Sequence, residues 1–233
     1  MPEQTITNAI ARREFLRNVL SGALTGAAVA GIEVAMPRPL LAQTSLTPEQ
    51  ALRELMAGNE RFDNNQLTSV EHDLRMLKEN TVEKQEPFAA VLACADSRVP
   101  IELVFDQTIG HIFVTRVAGN IVTPEIIASL EYAVAVLGVK VLLVLGHTGC
   151  GAVKAAMKAD TVPGQISALY QHIQPSVELS GGDFGKAISN NAKFQANLLR
   201  TSSTVVRDAL KAAKVRVESG VYDLATGKVM LHG

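Results

Sequence analysis

The sequence predicts an α/β fold: an open, mostly parallel sheet of about four strands with a C-terminal antiparallel hairpin or edge strand. Helices on both faces of the sheet and an N-terminal helical arm complete this prediction. From Phe88 onward, short apolar runs alternate with stretches of helical periodicity, which is the pattern of βαβ units. At the end of the chain, two alternating segments flank Ala225-Thr226-Gly227, which is typical of an antiparallel hairpin.

The apolar runs place the predicted strands. They cover residues 88–95, 112–117 and 139–146, followed by 215–223 and 228–232 in the hairpin. Helical periodicity predicts helices over 124–137, 152–158, 165–173 and 186–213, the last one broken near residues 201–203. Thr123 precedes the first of these helices as a candidate N-cap, and Gly138 follows its end.

Residues 43–86 are predicted to form the helical arm, in which the polar stretch after Gly58-Asn59, to about residue 86, packs outside the main core. Thr47, Pro48 and Gln50 have the types and spacing of a capping box with proline at the first helical position. Apolar residues then recur at helical spacing up to Phe62, although Gly58-Asn59 interrupts the run. Residues 87–233 would form the catalytic part of the same domain.

Residues 1–42 have the features of an export signal. Arg12-Arg13-Glu14-Phe15-Leu16-Arg17 resembles a twin-arginine signal, and a Gly/Ala-rich, weakly apolar stretch follows it. A membrane-anchoring helix is the alternative, but Glu33 and the glycines make a permanent membrane span a poor interpretation. We expect the signal to engage the export machinery and to be cleaved, leaving a periplasmic protein that folds in the cytoplasm before export.

The composition excludes some partners. The hydrophobic share of 47% and the charged share of 19% are ordinary for a globular chain. A net charge of -1 offers no electrostatic surface for nucleic acid, and with no tryptophan and 4% aromatic residues there is little to stack on bases or sugars. Small molecules remain as substrates.

Both cysteines of the chain follow predicted strands. Cys94 lies at the carboxyl end of the first strand, and His147 and Cys150 follow the third. Ligands collect outside the carboxyl ends of strands in open parallel sheets, so we expect these three side chains to converge. Two thiolates and one imidazole match a catalytic zinc site, which keeps a fourth position open.

Each half of this cluster has a simpler interpretation by itself. A buried cysteine at a strand end acts more often as a small apolar residue than as a ligand, and His-x-x-Cys occurs by chance. In an oxidising periplasm, Cys94 and Cys150 would form a disulfide in a non-enzymatic exported protein. Metal loading before export would protect both thiols.

Six stretches of the chain, in order, resemble those of the β-class carbonic anhydrases. The family usually has Cys-Ser-Asp-Ser-Arg at the first cysteine, where this chain has Cys-Ala-Asp-Ser-Arg. The matching stretches are Gly58-Asn59-Glu60-Arg61-Phe62, Cys94-Ala95-Asp96-Ser97-Arg98-Val99-Pro100, Arg116-Val117-Ala118-Gly119-Asn120, Ser129-Leu130-Glu131-Tyr132-Ala133, Gly146-His147-Thr148-Gly149-Cys150-Gly151-Ala152-Val153 and Val221-Tyr222-Asp223-Leu224-Ala225-Thr226-Gly227.

The resemblance implies one Zn²⁺ per chain, held by Cys94, His147 and Cys150. It also implies reversible hydration of carbon dioxide to bicarbonate and a proton, by attack of zinc-bound hydroxide. Asp96 would accept a hydrogen bond from that hydroxide and Arg98 would hold Asp96 in place. In a resting form, Asp96 would instead take the fourth zinc position.

Two further residues and an assembly follow from the same resemblance. Gln85 matches a position whose amide contacts substrate across a dimer interface, and the N–H of Gly151 is placed to bind a bicarbonate oxygen. The family forms homodimers or multiples of dimers. Some relatives hydrolyse carbonyl sulfide or carbon disulfide with the same ligands, and the motifs do not separate that activity from hydration of carbon dioxide.

Overall fold

Five strands form one sheet in the computed structural model, which describes residues 44–69 and 84–232. Their spatial order is β2-β1-β3-β4-β5, in which neighbours among the first four are parallel and β5 is antiparallel to β4. This arrangement confirms the predicted fold class, and each strand end lies within two residues of its predicted position. The strands are β1 Ala89–Ala93, β2 Ile112–Arg116, β3 Val141–His147, β4 Arg216–Tyr222 and β5 Val229–Leu231.

The α-helices lie on both faces of this sheet. Along β1, Val91 faces a core that contains residues of α1 and α2, whereas Leu92 faces a second core with residues of α3, α6 and α7. The side chains of a strand alternate between the two faces, so one apolar strand serves both cores. The helices are α1 Pro48–Asp63, α2 Ile101–Val104, α3 Pro124–Tyr132, α4 Gly151–Lys158, α5 Tyr170–Glu178, α6 Phe184–Ser202 and α7 Thr204–Lys211.

The helix predictions hold in type and differ at the ends. The helix predicted over 124–137 is α3 continued by a π-helical turn over Ala133–Leu137. The break predicted near 201–203 falls at Ser203, whose hydroxyl caps α7 by accepting from the N–H of Val206 at 3.0 Å. The helix predicted over 165–173 is instead a 3₁₀ turn followed by α5, which continues through Pro175 and buries Ile173 and Ser176. The short helix α2 was not predicted.

The helix α1 begins as predicted. The N–H of Gln50 donates to the hydroxyl of Thr47 at 3.2 Å, and the N–H of Thr47 donates to the side chain of Gln50 at 2.8 Å. α1 itself does not lie outside the main core, since Ala51 and Leu55 are fully buried against β1 and β3.

Gly58 does not interrupt α1 either. A Cβ atom at this position would lie 1.8 Å from the carbonyl oxygen of Phe105, so glycine permits the close approach of two backbones. Next to it, the Asn59 amide donates to the carbonyls of Val104 and Gly227 at 3.0 and 2.9 Å and accepts from the N–H of Val229 at 2.8 Å. The pair Gly58-Asn59 therefore joins α1 to α2 and to the last strand.

Residues 1–43 and 70–83 lie outside the described part of the chain, and with them the predicted export signal and the middle of the arm. Within residues 44–69 and 84–232, no helix is both long and apolar enough to span a membrane.

A buried carboxylate holds the segment that follows α1. Asp106, 3% exposed, accepts from Arg61 Nε and from the N–H and hydroxyl of Thr68, both at 2.8 Å, and from the N–H of Ser69 at 2.9 Å. Burial acts to raise the pKa of Asp106, but the bonds from Arg61, Ser69 and Thr68 outweigh it and hold this pKa well below its usual range.

We predict that Asp106→Asn lowers the free energy of unfolding at neutral pH by about 3 kcal/mol, because the charge-assisted bonds are lost. Asparagine tolerates the positive φ of 44° found at this residue, so the substitution adds no backbone strain. The folded-state pKa of Asp106 is depressed, so its stabilisation is fully present above the unfolded value of about 3.9 and is lost as the pH falls through the folded pKa.

Urea unfolding of both proteins measures this effect. The difference in unfolding free energy should narrow between about pH 5 and pH 2. Asp160→Asn, at an exposed position, is the matched control and should leave the stability unchanged. If the difference in unfolding free energy stayed constant across this pH range, the depressed pKa assigned to Asp106 in the folded state would be contradicted.

Candidate metal centre

The three predicted ligands lie together at the carboxyl edge of the sheet. Cys94 follows β1 directly, His147 is the last residue of β3, and Cys150 is the N-cap of α4. One ligand atom from each lies within 4.8 Å of the other two, and the two sulfurs are 4.0 Å apart. The exposed fractions are 4%, 0% and 1%, so the predicted convergence occurs in a buried site.

The register of the sheet produces this convergence. Ala93 of β1 pairs with Leu145 of β3 on one side and with Arg116 of β2 on the other. Cys94, directly after β1, therefore lies level with Gly146, one residue before His147 at the end of β3. The two strands end at the same edge of the sheet, and Cys94 and His147 meet there.

His147 presents one free nitrogen to the two sulfurs. Its Nδ1 lies 3.0 Å from the carbonyl oxygen of Thr148, which accepts only from an N–H, so Nδ1 is assigned the proton. Its Nε2 then carries a lone pair, and this buried atom has no hydrogen-bond partner among the described residues. An unpaired buried nitrogen beside two thiols fits a metal ligand, and the N/S₂ donor set suits zinc.

The two thiols share one proton. The pKa of Cys94 is lowered to about 4, first because the Cys150 thiol donates to it and further because the N–H of Gly119 donates to the same sulfur. The pKa of Cys150 is raised, since its own proton makes that bond and burial disfavours a second charge. Both cysteines are free, and their separation is about twice the length of an S–S bond, so the disulfide alternative is not formed in this structure.

Asp96 and Arg98 form a two-pronged ion pair beside the cluster. Arg98 Nε donates to Oδ1 of Asp96 at 2.9 Å and Nη2 donates to Oδ2 at 2.8 Å. The pKa of Asp96 is held well below its usual range, first by this side-chain bond from Arg98. Oδ2 of Asp96 lies 3.9 Å from Nε2 of His147, so an ionised carboxylate faces the three ligands.

Arg116 supports the same loop and was not predicted as a site residue. From the end of β2, its Nε donates to the carbonyl of Cys94 at 3.0 Å and its Nη2 donates to the carbonyl of Asp96. One guanidinium thus fixes the backbone on both sides of Ala95. Its place in the stretch Arg116-Val117-Ala118-Gly119-Asn120 was the only signal in the sequence.

A sequence profile of the carbonic anhydrase family matches residues 89–229. "Carbonic anhydrase 2" of Mycobacterium tuberculosis is 33% identical over 199 residues, which covers 79% of this chain and 92% of that protein. The chain belongs to the β-class carbonic anhydrases. It is accordingly an enzyme, a lyase of the carbonate dehydratase kind.

Solved structures of the β class have the same fold. The β-carbonic anhydrase CcaA is similar with a TM-score of 0.63 and 26% identity, over 78% of this chain and 87% of that one. A β-carbonic anhydrase of Sordaria macrospora, described as tetrameric, is similar with a TM-score of 0.61 and 22% identity, over 78% of this chain and 94% of its own.

The two remaining predicted site residues lie at opposite ends of the sheet. Gly151 is the first residue of α4, directly after Cys150, and space is open beside its Cα. The N–H groups in the first turn of a helix lack partners within the helix, so this N–H is available at the edge where the ligands meet. Gln85 is exposed and precedes the amino end of β1, whereas Cys94 follows its carboxyl end. The length of β1, roughly 16 Å, therefore separates the two residues.

Proposed function

We propose that this β-class carbonic anhydrase interconverts carbon dioxide and bicarbonate with one Zn²⁺ per chain, held by Cys94, His147 and Cys150. The observation that carries the proposal is the unpaired Nε2 of His147, buried beside two sulfurs. Bound at these atoms, zinc would lower the pKa of a water molecule so that it ionises near neutral pH. The similar proteins are carbonic anhydrases, which favours carbon dioxide over carbonyl sulfide or carbon disulfide as substrate.

Asp96 orients the nucleophile in this proposal. Its carboxylate stays ionised because Arg98 pairs with both oxygens, and an ionised carboxylate can only accept a hydrogen bond. A water or hydroxide that donates to Asp96 has its lone pair turned away from the carboxylate, toward carbon dioxide. Water attacks the carbon, bicarbonate forms, and one proton leaves for solvent.

The pairing of Asp96 with Arg98 also bears on the resting form. Asp96 would become the fourth metal ligand there only after its two side-chain bonds to Arg98 had broken. With those bonds intact, the carboxylate is held beside the ligands in the arrangement that the hydration reaction needs. The N–H of Gly151 binds an oxygen of bicarbonate at the same edge.

The active assembly is a homodimer or a multiple of dimers in this proposal. Gln85 lies at the amino end of β1 and the metal cluster at its carboxyl end, so its amide does not meet substrate in its own subunit. It contacts substrate in a neighbouring subunit. The tetrameric state of the Sordaria macrospora protein supports assembly of this kind.

The zinc site predicts a metal content of one equivalent per purified chain. His147→Ala should lose the metal, because it removes one of three ligands and leaves two thiols. His172→Ala is the control and should keep one equivalent of zinc. The only hydrogen bond that the structure gives the His172 ring among the described residues is the one with Gln171. Metal analysis combined with a thiol assay distinguishes the zinc site from the disulfide alternative. A wild-type protein with no zinc and no free thiols would support the disulfide alternative.

Asp96→Asn should lower the rate of carbon dioxide hydration by a factor of about 10² to 10⁴, because the amide no longer offers an ionised acceptor to the nucleophile. Stopped-flow measurement with a pH indicator gives the rate, and metal analysis should still find zinc. Asp208→Asn, at an exposed position of α7, is expected to retain the wild-type rate. Full activity in the Asp96 variant would remove this residue from the mechanism.

We further propose that residues 1–42 direct export to the periplasm after folding. Replacing both arginines of the signal, Arg12→Lys with Arg13→Lys, should retain active protein in the cytoplasm, since this pathway recognises the arginine pair. Arg17→Lys leaves the pair intact and should not alter export. Cell fractionation followed by the hydration assay measures both. Periplasmic activity in the double variant would contradict a twin-arginine route.

A further inference from the structure

Two buried amide side chains lie side by side on α6. Asn191 and Gln195 are 1% and 0% exposed, and the Gln195 Nε2 donates to the Asn191 Oδ1 at 3.2 Å. The other buried residues of this helix are Ala187, Ile188, Ala192, Ala196 and Leu199. A buried amide is costly unless its polar atoms are paired, so this pair is expected to bond to specific partners.

Those partners are backbone groups, two of which belong to the segment next to Cys94. The Asn191 Nδ2 donates to the carbonyl of Gly119 at 2.8 Å. The Gln195 Oε1 accepts from the N–H of Val122 at 2.8 Å, and its Nε2 also donates to the carbonyl of His172 at 2.9 Å. Together the two amides fix residues 119–122 to α6.

Gly119 in turn contacts a predicted metal ligand. Its N–H donates to the sulfur of Cys94 at 3.3 Å. Its φ of 76° lies in the left-handed region, and a Cβ atom here would lie 2.8 Å from Cδ1 of Ile173. The residue is thus confined by α5 on one side and bonded to α6 through Asn191, which leaves its N–H little freedom to turn away from the sulfur.

We infer that Asn191 is a positioning residue for the Cys94 ligand: by holding the carbonyl of Gly119, it aims the N–H of Gly119 at the sulfur. The inference rests on the proposed zinc site. The two peptide units meet at the Cα of Gly119, so a carbonyl fixed by Asn191 restricts the rotation of the neighbouring N–H. Gln195 supports this arrangement by orienting the Asn191 amide.

The N–H bond withdraws negative charge from the sulfur. A thiolate that accepts a hydrogen bond donates less charge to a metal, and the bond keeps the sulfur in place as a ligand. Groups that orient metal ligands in this way affect metal affinity or activity by about 10- to 100-fold when they are removed. Loss of the Asn191 amide should therefore change the metal site, although Asn191 contacts Cys94 only through Gly119.

Asn191→Leu tests the inference because leucine has a similar size and cannot donate. The zinc dissociation rate, measured with a competing chelator, should rise about 10- to 100-fold. In the Co²⁺-substituted protein, the sulfur-to-cobalt charge-transfer band should move to longer wavelength, since a sulfur without the N–H bond gives up charge more easily. A purely structural role would lower the unfolding temperature without moving this band.

Leu199→Ala is the matched control. Leu199 is fully buried on the same helix and belongs to the core that contains Leu92 of β1. The variant is therefore destabilised while the bonds of Asn191 remain. It should unfold at lower temperature with a wild-type dissociation rate and band position. Asn191→Asp, which also lacks the donating amide, serves as a second variant. The inference is overturned if the zinc dissociation rate and the band position change equally in Asn191→Leu and Leu199→Ala, or if neither changes in a folded Asn191→Leu or Asn191→Asp protein.

A measurement on the wild-type protein tests the bond to the sulfur without any variant. With ¹¹³Cd in the site, the amide proton of Gly119 should show scalar coupling to the metal through the Cys94 sulfur. Absence of that coupling overturns the inference whether or not the variants fold. A wild-type chain that binds no metal would instead overturn the proposed function, so the two failures are distinguishable.

Discussion

The parallel pairing of β1 with β3 is the constraint on which the site depends. It sets Ala93, the last residue of β1, beside Leu145, two residues before β3 ends, so the two strands end at one edge of the sheet. Cys94 directly follows β1 and His147 ends β3, although 53 positions separate them in the numbering. A shift of one residue in this register would turn one ligand toward the opposite face of the sheet.

Around that edge, backbone carbonyls are bonded by side chains from distant parts of the chain. Arg116 bonds to the carbonyls of Cys94 and Asp96, Asn191 bonds to that of Gly119, and Arg98 lies 3.5 Å from that of Gly149. Irregular backbone can be buried only when its polar groups are paired. The same bonds restrict how far the ligands and Asp96 can move, so one set of contacts serves both stability and the chemistry of the site.

The strands and the three ligands were predictable because their signals are local. An apolar run bounded by glycine or proline identifies a strand, and Cys94, His147 and Cys150 are chemically distinct residues at strand ends. The burial of α1 at Gly58 and the passage of α5 through Pro175 depend on what packs against those helices, which no local pattern records. Arg116 and Asn191 were not predicted for a related reason. Each side chain bonds to backbone carbonyl groups, which every residue type has, so the identity of the partner residue gives no signal. The role proposed for Gln85 involves a second subunit, and no local pattern within one chain records contacts of that kind.

The proposed export adds a constraint on the two cysteines. An oxidising compartment favours a disulfide between neighbouring thiols, yet here the sulfurs are 4.0 Å apart and would have to approach by about half that distance to bond. Each belongs to a backbone held by other contacts: Cys94 by Arg116, and Cys150 by its position at the start of α4. A metal ion held between them, as proposed, would also occupy the electron pairs with which the sulfurs react with an oxidant. A chain folded and loaded before export therefore carries its ligands through in the reduced state, whereas a chain exported unfolded would expose both thiols before the sheet had placed them.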